Sequence, residues 1–482
     1  MAATAMACWI LAFREGLGFE KMSEGSRIGV LSKNPADADR PLVPLQEAQE
    51  LVLSGVVPLE EEVVDLKGAL GRYLAEDLIA PFDLPHFDNS AMDGYALRAE
   101  DAPEAGTILK VAGFLPAGSW SSEPLRPKEA MRIMTGAPIP PGADCVVMLE
   151  DTQRTAEEDQ VVISKVPSRG QHIRHKGEDL RAGQSALPAG SRMDPAAIAL
   201  AASLGSSTLR LHKRPVVGVM TTGDELLQHE ALDDSEAGLG QGMLYDSNRP
   251  MLLAAARATG GVPVDLGCVA DQLDSIEKSL LSAASECDLI LTTGGASIGD
   301  RDWAKELLPR IATGESRWLE VAIKPAKPLA YCWIGQCLLL CLPGNPVSAL
   351  VSFELFAKEA IQKMLGNPVP RPPRYRAVLA EDVSHKRDGK LHLLLSMAER
   401  EPGGNLTVKP AGAQASHLIA MAARANAIAF LPEEPSPNEG SPAAQLPVSE
   451  EGSPRATKSH ERRGTVSFPS GSEVELQMLS CP

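Results

Sequence analysis

Three short apolar runs, Val216–Met220, Asp288–Leu291 and Cys337–Leu342, each stop at a small polar cluster that carries glycine. The clusters are Thr221-Thr222-Gly223-Asp224-Glu225, Thr292-Thr293-Gly294-Gly295 and Pro343-Gly344-Asn345-Pro346. Helical patterns follow, directly after the second and third clusters and after a loop in the first. An open parallel α/β sheet gathers its ligand-binding loops in this way, along the carboxyl ends of its strands. The loops suit an anion. Gly-Gly and Pro-Gly-Asn turns let successive backbone N–H groups converge, and Asn345 stands where it caps a helix whose first residue is Pro346. Lys324 and Lys327 lie three apart beside Pro325 and Pro328; in a polyproline-like stretch both face one side. A phosphate-bearing ligand is the first expectation.

The 482 residues hold 46 Lys and Arg against 63 Asp and Glu, a net charge of −17. A field of that sign repels nucleic acid and anionic membrane, so any bound anion must be held by local lysines and N–H groups. No stretch is long or apolar enough to span a bilayer. Residues 1–40 read as an untidy extension, with Ala7–Phe13 apolar but no basic residues before it; the first domain starts near Pro41, and Met22 is an alternative start. Eight cysteines show no C-x-x-C pair and no zinc spacing, which reads as small buried hydrophobes in a reducing cytoplasm.

Leu45 to Leu74 reads as a helix, a turn and a shorter helical segment at Leu66–Leu74. From Ala80 the texture changes to short strands, Ile108–Ala112, Ala130–Met134, Cys145–Glu150 and Val161–Val166, a β-rich module. A helix follows with Asp194 as N-cap, Pro195 at its first position and Gly205 as its stop. The α/β pattern runs from Arg214 to about Gly366, with helices at Arg249–Thr259, at Leu273–Ala284 with Asp274 and Glu277 at capping-box spacing, and at Pro346–Leu365. After a proline-rich linker, Tyr375–Asp382, Leu391–Met397, Asn405–Pro410 and Ser467–Leu479 alternate like strands of a second β domain. Glu433–Gly464, rich in Pro, Ser, Glu and Gly, reads as a disordered insertion.

Four segments occur in one order: Phe87-Asp88-Asn89-Ser90-Ala91-Met92-Asp93-Gly94-Tyr95-Ala96, Arg132-Ile133-Met134-Thr135-Gly136-Ala137-Pro138, Thr222-Gly223-Asp224-Glu225, and Leu342-Pro343-Gly344-Asn345-Pro346-Val347-Ser348. On these the chain resembles the molybdopterin molybdenumtransferase family, which includes the E domain of gephyrin, from about Pro41 to Leu431 and again at the terminal strand. The resemblance implies a multidomain α/β plus β fold. A central doubly wound α/β molybdopterin-binding domain (214–368) is joined to a split helical/β domain I (41–87 and 166–213), a β-rich domain II (88–165) and a C-terminal β-barrel-like domain IV (369–482). It implies a homodimer whose cleft lies between domain III of one subunit and domain II of the other. The implied substrates are molybdate and adenylated molybdopterin, supplied by a molybdopterin adenylyltransferase, with Mg²⁺ assisting release of AMP.

Carried over by motif, the catalytic residues fall on Asp93, Thr135, Asp179, Glu225, Asp271 and Asp302, of which Glu225, Asp271 and Asp302 would hold the metal. The substrate-binding set is Gly294, Gly295, Ser297, Lys324, Lys327, Pro343, Gly344, Asn345, Pro346 and Ser416. Cleaving a phosphoanhydride calls for a cation held by hard oxygen ligands, which carboxylates at strand ends supply, and for lysines against phosphate charge. Molybdate is a tetrahedral dianion, so hydroxyls such as those of Thr135 and Ser416 are candidate donors.

Each residue has a plainer reading beside this one. Asp93 before Gly94 also reads as a turn-former, Thr135 before Gly136 as a strand cap, Asp179 and Lys324 as solvated charges. His172 and His175 look like a metal pair, but Arg174 and Lys176 beside them read as a solvated basic strip. Some relatives carry a basic residue at the position of Glu320, so one phosphate contact is lost or supplied by Arg317. Ala415 and Ala427 stand where glycine is usual, which removes easy positive φ. Two other functions compete: a molybdopterin adenylyltransferase, which needs no domain bearing Asp93 and Thr135, and a gephyrin-like scaffold, which needs no cleft carboxylates.

Overall fold

The computed structural model describes residues 41–157, 159–227, 241–295, 303–433 and 464–479. Ser297, Asp302 and the insertion between Glu433 and Gly464 lie outside the described residues. In the α/β domain, β1 (Val216–Thr222), β2 (Val262–Val269), β3 (Leu289–Thr293), β4 (Arg317–Glu320), β5 (Pro328–Ile334) and β6 (Cys337–Leu342) form one sheet, in the order β2-β1-β3-β6-β5-β4. The first four of that order are parallel; β5 and β4 are antiparallel additions.

Alternation fixes which side chain meets which layer. Leu289, Leu291, Leu338 and Leu340 enter one core with the helices Asn248–Ala258 and Pro346–Ser352, whereas Ile290, Leu339 and Cys341 enter a second with Leu273–Ala283 and Trp303–Ile311. The sheet is therefore covered on both faces, and each buried Leu or Ile contributes roughly 1.5–3 kcal/mol. The long helix continues from Ser352 through a π-helical turn, Phe353–Ala357, into Lys358–Met364. Two local readings are corrected here. Gln272, not Asp274, is the N-cap of Leu273–Ala283, so no capping box forms. Asn345 is the N-cap residue before Pro346, but its side chain makes no capping bond.

The β-rich module is a six-stranded mixed sheet containing Gly94–Leu97, Thr107–Leu115, Glu129–Ile133 and Cys145–Met148. Beside it, Glu61–Asp65 pairs antiparallel with Thr208–His212. The helical reading of the Leu66–Leu74 segment is thus corrected to one 3₁₀ turn, Leu66–Gly68, after a strand whose Val63-Val64 pair suits a pleated surface. Asp194 does cap Pro195–Ser203, accepting from the Ala197 N–H at 2.8 Å.

In the C-terminal region Arg374–Leu379, Leu391–Arg400, Leu406–Pro410, Ala427–Leu431 and Glu473–Met478 close into a five-stranded barrel, because Leu391–Arg400 pairs with both Leu406–Pro410 and Ala427–Leu431. The single strand expected at Ser467–Leu479 is two, Thr465–Phe468 and Glu473–Met478. Ile323–Lys324 adds in parallel to Leu391–His392 and so ties the α/β domain to the barrel. No helix among the described residues is long and apolar enough to cross a membrane.

Candidate functional site

Parallel register brings the glycine clusters to one edge. Thr222 lies opposite Val269, Thr221 opposite Thr293, and Thr293 opposite Leu342. Gly223-Asp224-Glu225, Asp271, Gly294-Gly295 and Pro343-Gly344-Asn345 therefore project from the same end of the sheet. Gly294 and Gly295 have φ of +94° and +74°. A Cβ on Gly294 would lie 2.7 Å from the Thr222 carbonyl oxygen, and one on Gly295 would run into the Trp303 indole. The two glycines thus let this loop lie directly on β1, which no other residue type permits. The Glu225 carboxylate folds back over Gly223, where a Cβ would lie 2.7 Å from Oε2. The Asp271 N–H donates to Asp224 Oδ1 at 3.3 Å, which joins the loops after β1 and β2.

Mg²⁺ takes hard oxygen donors, and Glu225 and Asp271 are carboxylates at adjoining strand ends. Among the described residues no three His, Cys, Asp or Glu side chains gather at metal-binding range, and the remaining candidate ligand, Asp302, lies outside those residues.

Sequence reasoning missed the layer beneath this edge. Asn248, 8% exposed, donates to the Gly344 carbonyl at 2.7 Å and to Thr293 Oγ1 at 3.3 Å, fastening the third loop to the second. Thr221 Oγ1 donates to buried Asp246 at 2.6 Å, and Arg249 bridges Asp246 and Asp265. Trp303 Nε1 donates to Thr222 Oγ1 at 3.1 Å. The available signal was Asp246-Ser247-Asn248-Arg249, a polar run opening an apolar helix.

A cavity of about 840 Å³ adjoins the third loop, between the α/β domain and the barrel. Lys324, Lys327, Ser348 and Ser416 line it, and so do Lys386, Lys390 and His392, which sequence reasoning did not single out. The two lysines of the proline-rich stretch do share this cavity, but not through polyproline geometry: Lys324-Pro325 is cis and Ala326 has φ +75°. Lys327 is ion-paired with Glu320 at 2.5 Å, while Arg317 is engaged by Glu315 at 2.7 Å. Arg317 is not a lining residue of this cavity, whereas Lys386 and Lys390 are. The Ser416 carbonyl accepts from the Val347 N–H at 3.1 Å, so the 414–416 loop docks on the helix start. Gln414 meets both backbone groups of Leu395, which holds that loop without the usual glycine, and neither Ala415 nor Ala427 has positive φ.

Asp93 and Thr135 meet in the β-rich module. Both the backbone N–H and the hydroxyl of Thr135 donate to Asp93 Oδ1, each at 2.7 Å. The Thr135 N–H, then its hydroxyl, hold the Asp93 pKa below the usual carboxylate value. The Thr135 hydroxyl proton is committed to Asp93, which leaves the hydroxyl oxygen only acceptor capacity. Gly94 is more than a turn residue, since a Cβ there would lie 2.0 Å from the Val147 carbonyl oxygen. Asp179 is exposed on a loop whose backbone bonds Leu84. His175 contacts Asp88 at 3.4 Å rather than pairing with His172.

Three family models match the chain: the MoeA N-terminal region (domain I and II) at residues 43–205, a probable molybdopterin binding domain at 218–363, and the MoeA C-terminal region (domain IV) at 376–443. The chain is 36% identical over 398 residues to the molybdopterin molybdenumtransferase of Haemophilus influenzae, covering 82% of this chain and 95% of the relative. It is 35% identical to that of Bacillus subtilis, covering 81% and 90%. Among solved structures it is similar to a molybdopterin biosynthesis moeA protein from Pyrococcus horikoshii, with TM-score 0.71 and 28% identity over 91% of this chain and all of that one.

Proposed function

Because the chain belongs to the molybdopterin molybdenumtransferase family, we propose that its sheet edge and lysine cavity together hold adenylated molybdopterin and molybdate, and that AMP leaves as molybdenum is inserted. The protein is a transferase of molybdenum cofactor biosynthesis that inserts molybdenum into molybdopterin. The observation that carries the finer reading is the continuity of the two regions. The Pro343–Pro346 loop leaves the glycine-lined edge and opens the helix whose Val347 and Ser348 line the cavity.

In this reading the left-handed Gly294-Gly295 turn aims backbone N–H groups at phosphate, as anion-binding nests do. Lys324 and Lys390 stabilise the oxyanion charge, and Ser416 borders the same space. Glu225, Asp271 and Asp302 are the residues that would hold Mg²⁺, which when bound neutralises charge on the phosphoanhydride. Asp93, kept ionised by Thr135, serves as a fixed anion or proton acceptor. Six free cysteines among the described residues support a cytoplasmic setting, with a molybdopterin adenylyltransferase as supplier of the substrate.

The hydrogen bonds described for Asp93 and Thr135 stay within the β-rich module, and none of them reaches the sheet edge. That separation supports a homodimer in which each module completes the partner's site. Two dead variants then rescue each other: Asp93→Asn/Thr135→Ala mixed with Glu225→Gln/Asp302→Asn puts both lesions of a heterodimer into one site. With random exchange about half the dimers are mixed and each keeps one good site of two, so roughly a quarter of wild-type activity returns. Demonstrated subunit exchange without regained activity contradicts the shared site.

A further inference from the structure

Inside the barrel wall of the lysine cavity two histidines stack almost face to face. The His385 and His392 ring centroids are 3.9 Å apart at an interplanar angle of 19°, and the side chains are 9% and 6% exposed. Both ring nitrogens of His385 face backbone carbonyl oxygens, Nδ1 at 3.0 Å from that of Lys386 and Nε2 at 3.2 Å from that of Pro432. His392 is engaged on one side only. Its Nε2 meets Asp388 Oδ1 at 3.0 Å, which fixes the tautomer with the proton on Nε2. Its Nδ1 has no protein partner among the described residues, and His392 is a lining residue of the cavity.

Lys327, Glu381, Asp382 and Lys386 line the same cavity as His392, and the groups nearest it in the fold are specific. Lys324 is its register neighbour on the parallel strand. Asp388 and Lys390, themselves paired at 3.3 Å, stand on the turn before it, and His385 lies on the facing strand. The adjoining strands Ala427–Leu431 and Thr465–Phe468 bring no titratable side chain. Burial, with smaller contributions from His385 and Lys324, holds the His392 pKa below its ordinary value against the pull of Asp388. The neutral ring is therefore the favoured form. A dianion beside Lys324 reverses the sign of that local field, and Asp388 is already in place to stabilise an imidazolium.

We propose that His392, oriented by Asp388, is a further oxyanion-binding residue of this cavity and that molybdate binding is proton-coupled, one proton passing from solvent to His392 Nδ1 as the dianion enters. The proposal rests on the assignment of the cavity to molybdate. It adds a cationic donor to the site only when the anion is present, and avoids the cost of a permanent charge stacked on His385. Asp388 is a positioning residue, since it acts through the ring.

The test is titration of the full-length protein with dilute sodium molybdate between pH 6 and 8, by calorimetry in buffers of different ionisation enthalpy. Because the complex binds more protons than the free protein, affinity rises as pH falls, approaching tenfold per unit between the free and bound pKa values. The wild type takes up a fraction of a proton, at most one, per molybdate. His392→Gln still binds but releases the pH dependence and the uptake, and Asp388→Asn reduces both. Binding without proton uptake in the wild type, or uptake that persists in His392→Gln, overturns the proposal. Should the variant not fold, histidine proton resonances of the wild type decide: one titration midpoint rises with molybdate, and a set of unmoved midpoints refutes the coupling. Absence of any molybdate binding overturns the assignment of the cavity itself, and this proposal with it.

Discussion

Gly294→Ala isolates the role of the two-glycine turn. At φ +94° an L side chain costs about 1–2 kcal/mol. The new Cβ would also lie 2.7 Å from the Thr222 carbonyl oxygen and 2.5 Å from Thr222 Oγ1. Both groups sit on a central strand that cannot yield, so the loop must move by several tenths of an ångström, and overpacking of this kind adds about 1–3 kcal/mol. The total is about 2–5 kcal/mol, felt locally as displacement of the N–H groups that face phosphate. Gly314 has φ +98° with nothing within 4 Å of a Cβ, so Gly314→Ala carries the strain without the crowding. Thermal unfolding and AMP release are measured on both. The account expects a larger melting shift and at least tenfold slower release in Gly294→Ala, and near-normal release in Gly314→Ala. Equal behaviour of the two, or wild-type release in Gly294→Ala, refutes the claim that the loop must lie on β1.

Burial raises the Glu359 carboxyl to about 7 from 4.5, with Gln49 donating to it at 2.6 Å. A raised folded-state pKa contributes stability that is fully present below 4.5 and lost as pH rises through 7. That loss is on the order of 3 kcal/mol, so the melting temperature falls between pH 5 and 8 and Glu359→Gln flattens the profile; an unchanged slope in the variant contradicts it. The depressed pKa of Asp93 places the acid limb of activity at low pH, and Thr135→Val, which removes the hydroxyl donor, should move that limb upward. A pH–rate profile with an unmoved limb removes Thr135 from that role. Lys324→Ala should chiefly weaken binding of adenylated molybdopterin, because the lysine meets charge already present in the ground state, and an unchanged Kd takes it out of the site.

The α/β domain was legible because its signals are local: an apolar run, a glycine cluster, a capped helix. The edge residues Gly294, Gly344 and Glu225 follow from strand order alone. What was illegible depends on contacts distant in sequence. Asn248 and Trp303 gain their roles only when strands 216–222 and 289–293 pair and lay helices across them. Leu66–Leu74 looks helical until Glu61–Asp65, just before it, pairs with Thr208–His212. Lys390 and His392 look like any barrel strand until Lys324 docks beside them. At Ala415 and Ala427 the backbone has no positive φ, and no motif records that Gln414 and Asn426 fasten these loops through side-chain bonds to Leu395 and Ala398.

The central claim is that this chain joins molybdate to adenylated molybdopterin at the glycine-lined edge and the lysine cavity beside it. Its most direct test mixes the purified protein with adenylated molybdopterin, Mg²⁺ and molybdate and follows AMP and active cofactor together. The account predicts that both products appear in parallel, that both depend on molybdate, and that both are lost in Glu225→Gln/Asp302→Asn. AMP release without active cofactor, or product formation that survives loss of those two carboxylates, would contradict it.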